Sequence, residues 1–125
     1  MKLRLQDNSL RVRLTRGEVR HLASGQRVEQ TTEFSPISTL ITQIEPSAAV
    51  DRSAAVFESQ RLIVTVPLEG VRRWAESDQV GIEATQPIAE GRLLHLLIEK
   101  DFDCLHSRPE ENIDTFPNPK RTGLT

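Results

Sequence analysis

The chain has no tyrosine, one tryptophan and four phenylalanines among its 125 residues. A core built from it must rest on leucine, valine and isoleucine, and a ladder of exposed aromatics for stacking on bases is excluded. The single cysteine, Cys104, rules out an intramolecular disulfide and any thiolate-only metal cluster. A reducing compartment suits such a chain. No stretch approaches the roughly 20 apolar residues of a membrane-spanning helix. The opening Met1-Lys2-Leu3-Arg4-Leu5 carries no apolar run of signal-peptide length. The expectation is a cytoplasmic protein with no membrane contact. Glycine-rich phosphate loops, His-Glu-x-x-His and Gly-x-Ser-x-Gly are also missing, and no cofactor is evident.

What is present is ordinary globular composition, 37% hydrophobic and 27% charged. The length fits one compact domain. We place that domain at residues 1–105 and read 106–125, rich in Pro, Asn, Asp and Lys, as a loop-like tail. The net charge of −2 hides an asymmetry. Lys2, Arg4, Arg11, Arg13, Arg16, Arg20 and Arg27 crowd the start, whereas Glu99, Asp101, Asp103, Glu110, Glu111 and Asp114 crowd the end. Regions of opposite sign are expected to meet in the fold, and the balanced total weighs against a nucleic-acid arm.

Leu3 and Leu5 alternate with Lys2 and Arg4, the period of a half-buried strand. Asp7-Asn8-Ser9 turns the chain, and Leu10, Val12 and Leu14 complete a hairpin. Thr15-Arg16-Gly17-Glu18 has capping-box spacing, so a helix begins there, with Val19, Leu22 and Ala23 as its apolar stripe and Gly25 as its stop. Strands follow over Val28 to Phe34 and Leu40 to Ile44. The order then restarts: Ala54 to Glu58, Leu62 to Val66, a helix after Pro67 with Val71, Trp74 and Ala75 inward, then Val80 to Thr85 and Leu93 to Ile98. Laying Leu10 on Leu62 puts Val12 on Val64, Leu14 on Val66, Val19 on Val71, Leu22 on Trp74 and Val28 on Val80.

The chain therefore reads as α+β, a tandem duplication of a ββαββ unit, residues 1–46 and 53–103. Each unit is expected to make a four-stranded antiparallel sheet covered by its own helix. Two such units would pair about a pseudo-two-fold axis, as one continuous sheet or as a curled, barrel-like pair.

Strand alternation puts Lys2, Arg4, Arg11 and Arg13 on one face of the first hairpin. Like charges across strands destabilise unless neutralised. The second unit has Ala54, Val56, Ile63 and Thr65 at the matching positions, so the cluster belongs to the first unit alone. Two accounts are open. The four cations pair with carboxylates on a solvated face, or they grip an anion while Glu29, Glu33, Glu99 and Asp101 hold a divalent cation.

Alternating Arg and Glu on the inner face of a pseudo-symmetric sheet resembles the layout of the triphosphate tunnel metalloenzymes, the CYTH-like group. That resemblance implies metal held by Glu-x-Glu-x-Lys and polyphosphate held by basic residues. The motif is absent, since the first strand reads Lys2-Leu3-Arg4-Leu5-Gln6. A closer likeness covers nearly the whole chain. Asn8-Ser9-Leu10-Arg11-Val12-Arg13-Leu14-Thr15, the segment Glu29 to Phe34 with its Thr31-Thr32-Glu33-Phe34, Glu99-Lys100-Asp101-Phe102 with Cys104-Leu105, and Phe116-Pro117-Asn118-Pro119 resemble a family of small uncharacterised bacterial proteins. It implies a bacterial cytosolic protein and no particular reaction.

Cys104-Leu105-His106 offers two ligand types, with only His21 and His95 to complete a site. His95 lies within Leu93-Leu94-His95-Leu96-Leu97 and reads as a partly buried structural histidine. The sequence names no reaction. Its first reading is a non-catalytic binding or structural protein, with sheet edges offering a route to a homodimer. The alternative is an anion- or polyphosphate-binding protein or phosphohydrolase on the charged face. A nucleic-acid reading would require that face to be open and unpaired.

Overall fold

The computed structural model describes residues 1–102 and 114–117. Eight strands and two helices follow in the order β1 (Lys2–Gln6), β2 (Ser9–Leu14), α1 (Arg16–Ala23), β3 (Val28–Ser35), β4 (Ser38–Ser47), β5 (Ala54–Glu58), β6 (Arg61–Pro67), α2 (Leu68–Ala75), β7 (Gly81–Ala89) and β8 (Arg92–Lys100). The fold is α+β, and its two similar halves fit duplication.

Local chemistry sets the boundaries. At α1 the full capping box forms, with Thr15 Oγ1 accepting from the Glu18 N–H and the Glu18 carboxylate accepting from the Thr15 N–H. Gly25, at φ +91°, ends that helix in a conformation that disfavours any side chain. Ser59 and Gln60 both take positive φ in the β5–β6 turn, the geometry of a two-residue hairpin turn. Gly81 begins β7 where a Cβ would stand 2.8 Å from the Ile98 carbonyl oxygen, so only glycine allows that approach.

The sheets are not assembled as the sequence leads one to expect. Each unit does not close on itself. One sheet runs β1-β2-β8-β7 and the other β3-β4-β6-β5, so each takes one hairpin from each unit. The hairpins are antiparallel, but β2 joins β8 and β4 joins β6 in parallel, and both sheets are mixed. Chain direction explains this. Every hairpin turn lies at the end away from the helices, so the second strand of each hairpin runs back toward the helical end. Pairing second strand with second strand must then be parallel. Among the described residues there are two sheets and no closed barrel.

Both sheets and both helices share one core of Leu10, Val12, Leu14, Val19, Leu22, Val28, Ile44, Ala55, Leu62, Val64, Val66, Val71, Trp74, Leu96 and Ile98. The helices pack on each other at one end. Leu5 and Phe57 have the core parity, opposite Leu10 and Leu62, yet are exposed because they sit on edge strands near the turns. The edge strands β5 and β7 are tied by one side chain. The Gln86 amide accepts from the Ala55 N–H at 2.6 Å and donates to the Ala55 carbonyl at 2.9 Å. No helix among the described residues is long and apolar enough to cross a membrane.

Candidate functional site

The cationic face exists as strand parity requires. Register across the sheet aligns Lys2 with Arg13 and Glu99, Arg4 with Arg11 and Leu97, and Gln6 with Ser9 and His95. All lie opposite the side on which Leu10, Val12, Leu96 and Ile98 are buried. The two ends of the chain do meet here. Glu99 Oε1 lies 2.7 Å from Arg13 Nε and 3.4 Å from Arg11 Nε, and Asp101 Oδ2 lies 3.0 Å from Lys2 Nζ. Two carboxylates thus serve three cations. Arg4 donates to the neutral Gln6 amide oxygen at 3.3 Å and has no carboxylate among the described residues.

Arg4, Gln6, Ser9, Arg11 and Leu97 line a shallow depression of about 200 Å³. A second depression adjoins it across Ser9 and Leu97, with Glu83, Thr85 and His95 on its walls. His95 is exposed rather than partly buried. It does lie opposite Leu94 and Leu96, but that side is the open face of the sheet. The arrangement supplies guanidinium, amide, hydroxyl and imidazole groups at one surface, which is the chemistry of anion recognition.

The four carboxylates named with the cations do not share a face. Glu29 and Glu33 lie on β3 in the other sheet, where Glu29 pairs with Arg61 at 3.5 Å. Glu99 and Asp101 lie beside the cations. Among the described residues no three His, Cys, Asp or Glu side chains form a metal-holding group. Cys104 and His106 lie outside the described residues. His21 faces Gln26, its Nδ1 2.8 Å from Oε1.

Periodicity marks Lys100 as inward but does not show what receives its charge. It continues the core side of β8 after Leu96 and Ile98 and is 6% exposed. Its Nζ donates to the Ser77 carbonyl at 2.7 Å and stands 5.4 Å from the centre of the Phe116 ring. Phe116 in turn meets Phe102, and its N–H donates to the Asp101 carbonyl, so Asp114–Pro117 is fastened across the helical end. Burial holds the Lys100 ammonium below the ordinary lysine range, against the opposing pull of Asp78. Between that lowered native value and the unfolded value of about 10.4, the unfolded chain holds a proton that the native one lacks. Stability is therefore expected to rise with pH across that alkaline window. Lys100→Met should remove the rise, measured by urea unfolding over the same range; identical slopes in the two proteins would refute it.

Comparison with protein families matches residues 1–120 to the one described as "Family of unknown function (DUF7009)". No curated protein and no solved structure matches the chain.

Proposed function

We propose that this chain, which belongs to the DUF7009 family of unknown function, is a binding protein that takes a small anion on the outer face of the sheet β1-β2-β8-β7. One observation carries the reading. Arg4 and Arg11 are direct cross-strand partners in one depression; among the described residues Arg4 has no carboxylate, and Arg11 has only Glu99, which it shares with Arg13. Facing cations oppose the pairing of their strands. An anion between the two guanidinium groups relieves that repulsion and gains bidentate, charge-assisted hydrogen bonds. Gln6 and Ser9 add neutral donors on the same wall. A cytosolic setting agrees with the single cysteine.

The phosphohydrolase alternative requires metal-holding acids beside the arginines. Glu29 and Glu33 stand on the other sheet, and this favours binding over phosphoester cleavage. Thermal unfolding with tripolyphosphate, with and without magnesium, tests the reading. A ligand at a hundredfold its Kd adds about 2.7 kcal/mol to native stability, so Tm is expected to rise. Arg4→Ala with Arg11→Ala should reduce the rise and leave the fold intact, since Arg4 is exposed and Arg11 only half-buried. No rise in the native protein, or equal rises in the two proteins, overturns it.

A further inference from the structure

The two helices begin in different chemistry. At α1 the protein supplies its own oxygen acceptors: Thr15 Oγ1 takes the Glu18 N–H at 3.3 Å and the Asp114 carboxylate takes the Gly17 N–H at 3.2 Å. The Glu18 carboxylate closes back on the Thr15 N–H at 2.9 Å. In the register that lays Leu10 on Leu62, Thr15 becomes Pro67 and Glu18 becomes Gly70. Pro67 makes no side-chain cap bond. Glu69, the acid of the first turn, is turned aside to Arg72 at 3.1 Å. The first-turn N–H groups of a helix have no intrahelical partner and favour an anion. At α2 none of the side-chain acceptors that complete α1 has a counterpart among the described residues.

A cavity of about 220 Å³ takes their place, lined by Gly70, Arg52, Arg73 and Ser53. Ser53 is 2% exposed, and its Oγ, shut off from solvent, has no hydrogen-bond partner among the described residues. Buried hydroxyls are ordinarily paired. Ser53 is among the residues that line the cavity at the head of the uncapped helix. Neither Arg52 nor Arg73 has an ion pair among the described residues.

We infer that this cavity is a separate anion site that takes a phosphate group, free or as a monoester. The α2 N–H groups, the Ser53 hydroxyl and the two guanidinium groups are its donors. Asp51 and Glu83 also line the cavity, so its lining carries no large net charge. Affinity comes from directed hydrogen bonds to the phosphate oxygens. The site does not depend on the sheet-face reading, because it shares neither Arg4 nor Arg11.

Titration calorimetry with inorganic phosphate and with glycerol 3-phosphate tests it. The parent is the protein carrying Arg4→Ala and Arg11→Ala, in which the sheet face is disabled. Binding is expected there, and the tighter of the two ligands identifies free phosphate or monoester. Arg73→Ala, at an exposed position, should weaken binding at least about tenfold, the loss of a charge-assisted hydrogen bond. Gly70→Glu restores the carboxylate that α1 has at Glu18 and should abolish binding without lowering Tm. A Cβ at Gly70 meets only Pro67 Cβ at 3.7 Å and an Arg73 nitrogen at 3.9 Å. Absence of binding in the parent, or full binding in both the Arg73→Ala and Gly70→Glu proteins, overturns the inference and leaves the sheet-face reading untouched.

Discussion

Trp74→Ala is expected to cost about 3–5 kcal/mol, a large share of the roughly 5–15 kcal/mol that holds a small domain folded. The side chain is fully buried, and its indole N–H donates to the Val80 carbonyl at 3.0 Å. It sits on the stripe of α2 with Val71, and α2 packs on α1, β6 and β7. Truncation would open a hole where both helices meet the core and would remove one of two donors to the Val80 carbonyl, the Lys100 N–H remaining. Trp74→Phe keeps most of the volume and gives up chiefly the hydrogen bond, worth about 0.5–1.5 kcal/mol. Urea unfolding followed by circular dichroism measures both, since the substitutions remove the only tryptophan. A loss in Trp74→Ala no larger than in Trp74→Phe would mean that the helix is not sealed into the core.

Gln86→Leu is expected to cost about 2–4 kcal/mol, because a backbone donor and a backbone acceptor of Ala55 lose their partners together. The Gln86 amide does for β5 what another strand would do. It meets both polar groups of one residue and so closes an edge without adding a strand. Gln86→Glu separates the two bonds. A carboxylate can accept from the Ala55 N–H but repels the Ala55 carbonyl, while the protonated acid can satisfy both. The acid's native pKa is therefore raised above the unfolded value of about 4.3. The variant should be most stable below that value and lose stability as pH rises through the native one. A stability profile in Gln86→Glu that is flat over acid pH, or a loss below about 1 kcal/mol in Gln86→Leu, would show that the contact is dispensable.

Much of the fold could be read from the residues because its devices are local. Alternation marks the strands, Thr15 and Glu18 sit three apart as a capping box must, and Pro67 stands where a strand gives way to a helix. The cationic face was legible for the same reason, since parity within one hairpin fixes which side Arg4 and Arg11 share. The exchange of hairpins was not. Alternation says which face of a strand is buried and nothing about which strand lies beside it. Alternation alone therefore sets Glu29 and Glu33 beside cations that belong to another sheet. Lys100 and Ser53 were hidden differently. A lysine in phase with Leu96 and Ile98 is visible as an inward residue, but Ser77 and Phe116 become its partners only when distant segments close. The uncapped start of α2 is written in Pro67 and Gly70, yet it gains meaning only beside the cavity that Arg52, Ser53 and Arg73 complete.

The interleaved strand order also bears on how the molecule is made. The sheet β3-β4-β6-β5 is drawn from one unbroken stretch, Val28 through Pro67, so all its strands leave the ribosome before α2 does. The hairpin β1–β2 emerges first but finds its parallel neighbour β8 only when Arg92–Lys100 appears. Until then a nascent chain carries the Lys2, Arg4, Arg11 and Arg13 hairpin without Glu99 beside it. That cluster of positive charge on an unpaired edge discourages premature docking against another such hairpin. Pairing β2 with β8 closes a long loop, at a high entropic cost, and the charges that guard the early hairpin are those that receive Glu99 when it arrives.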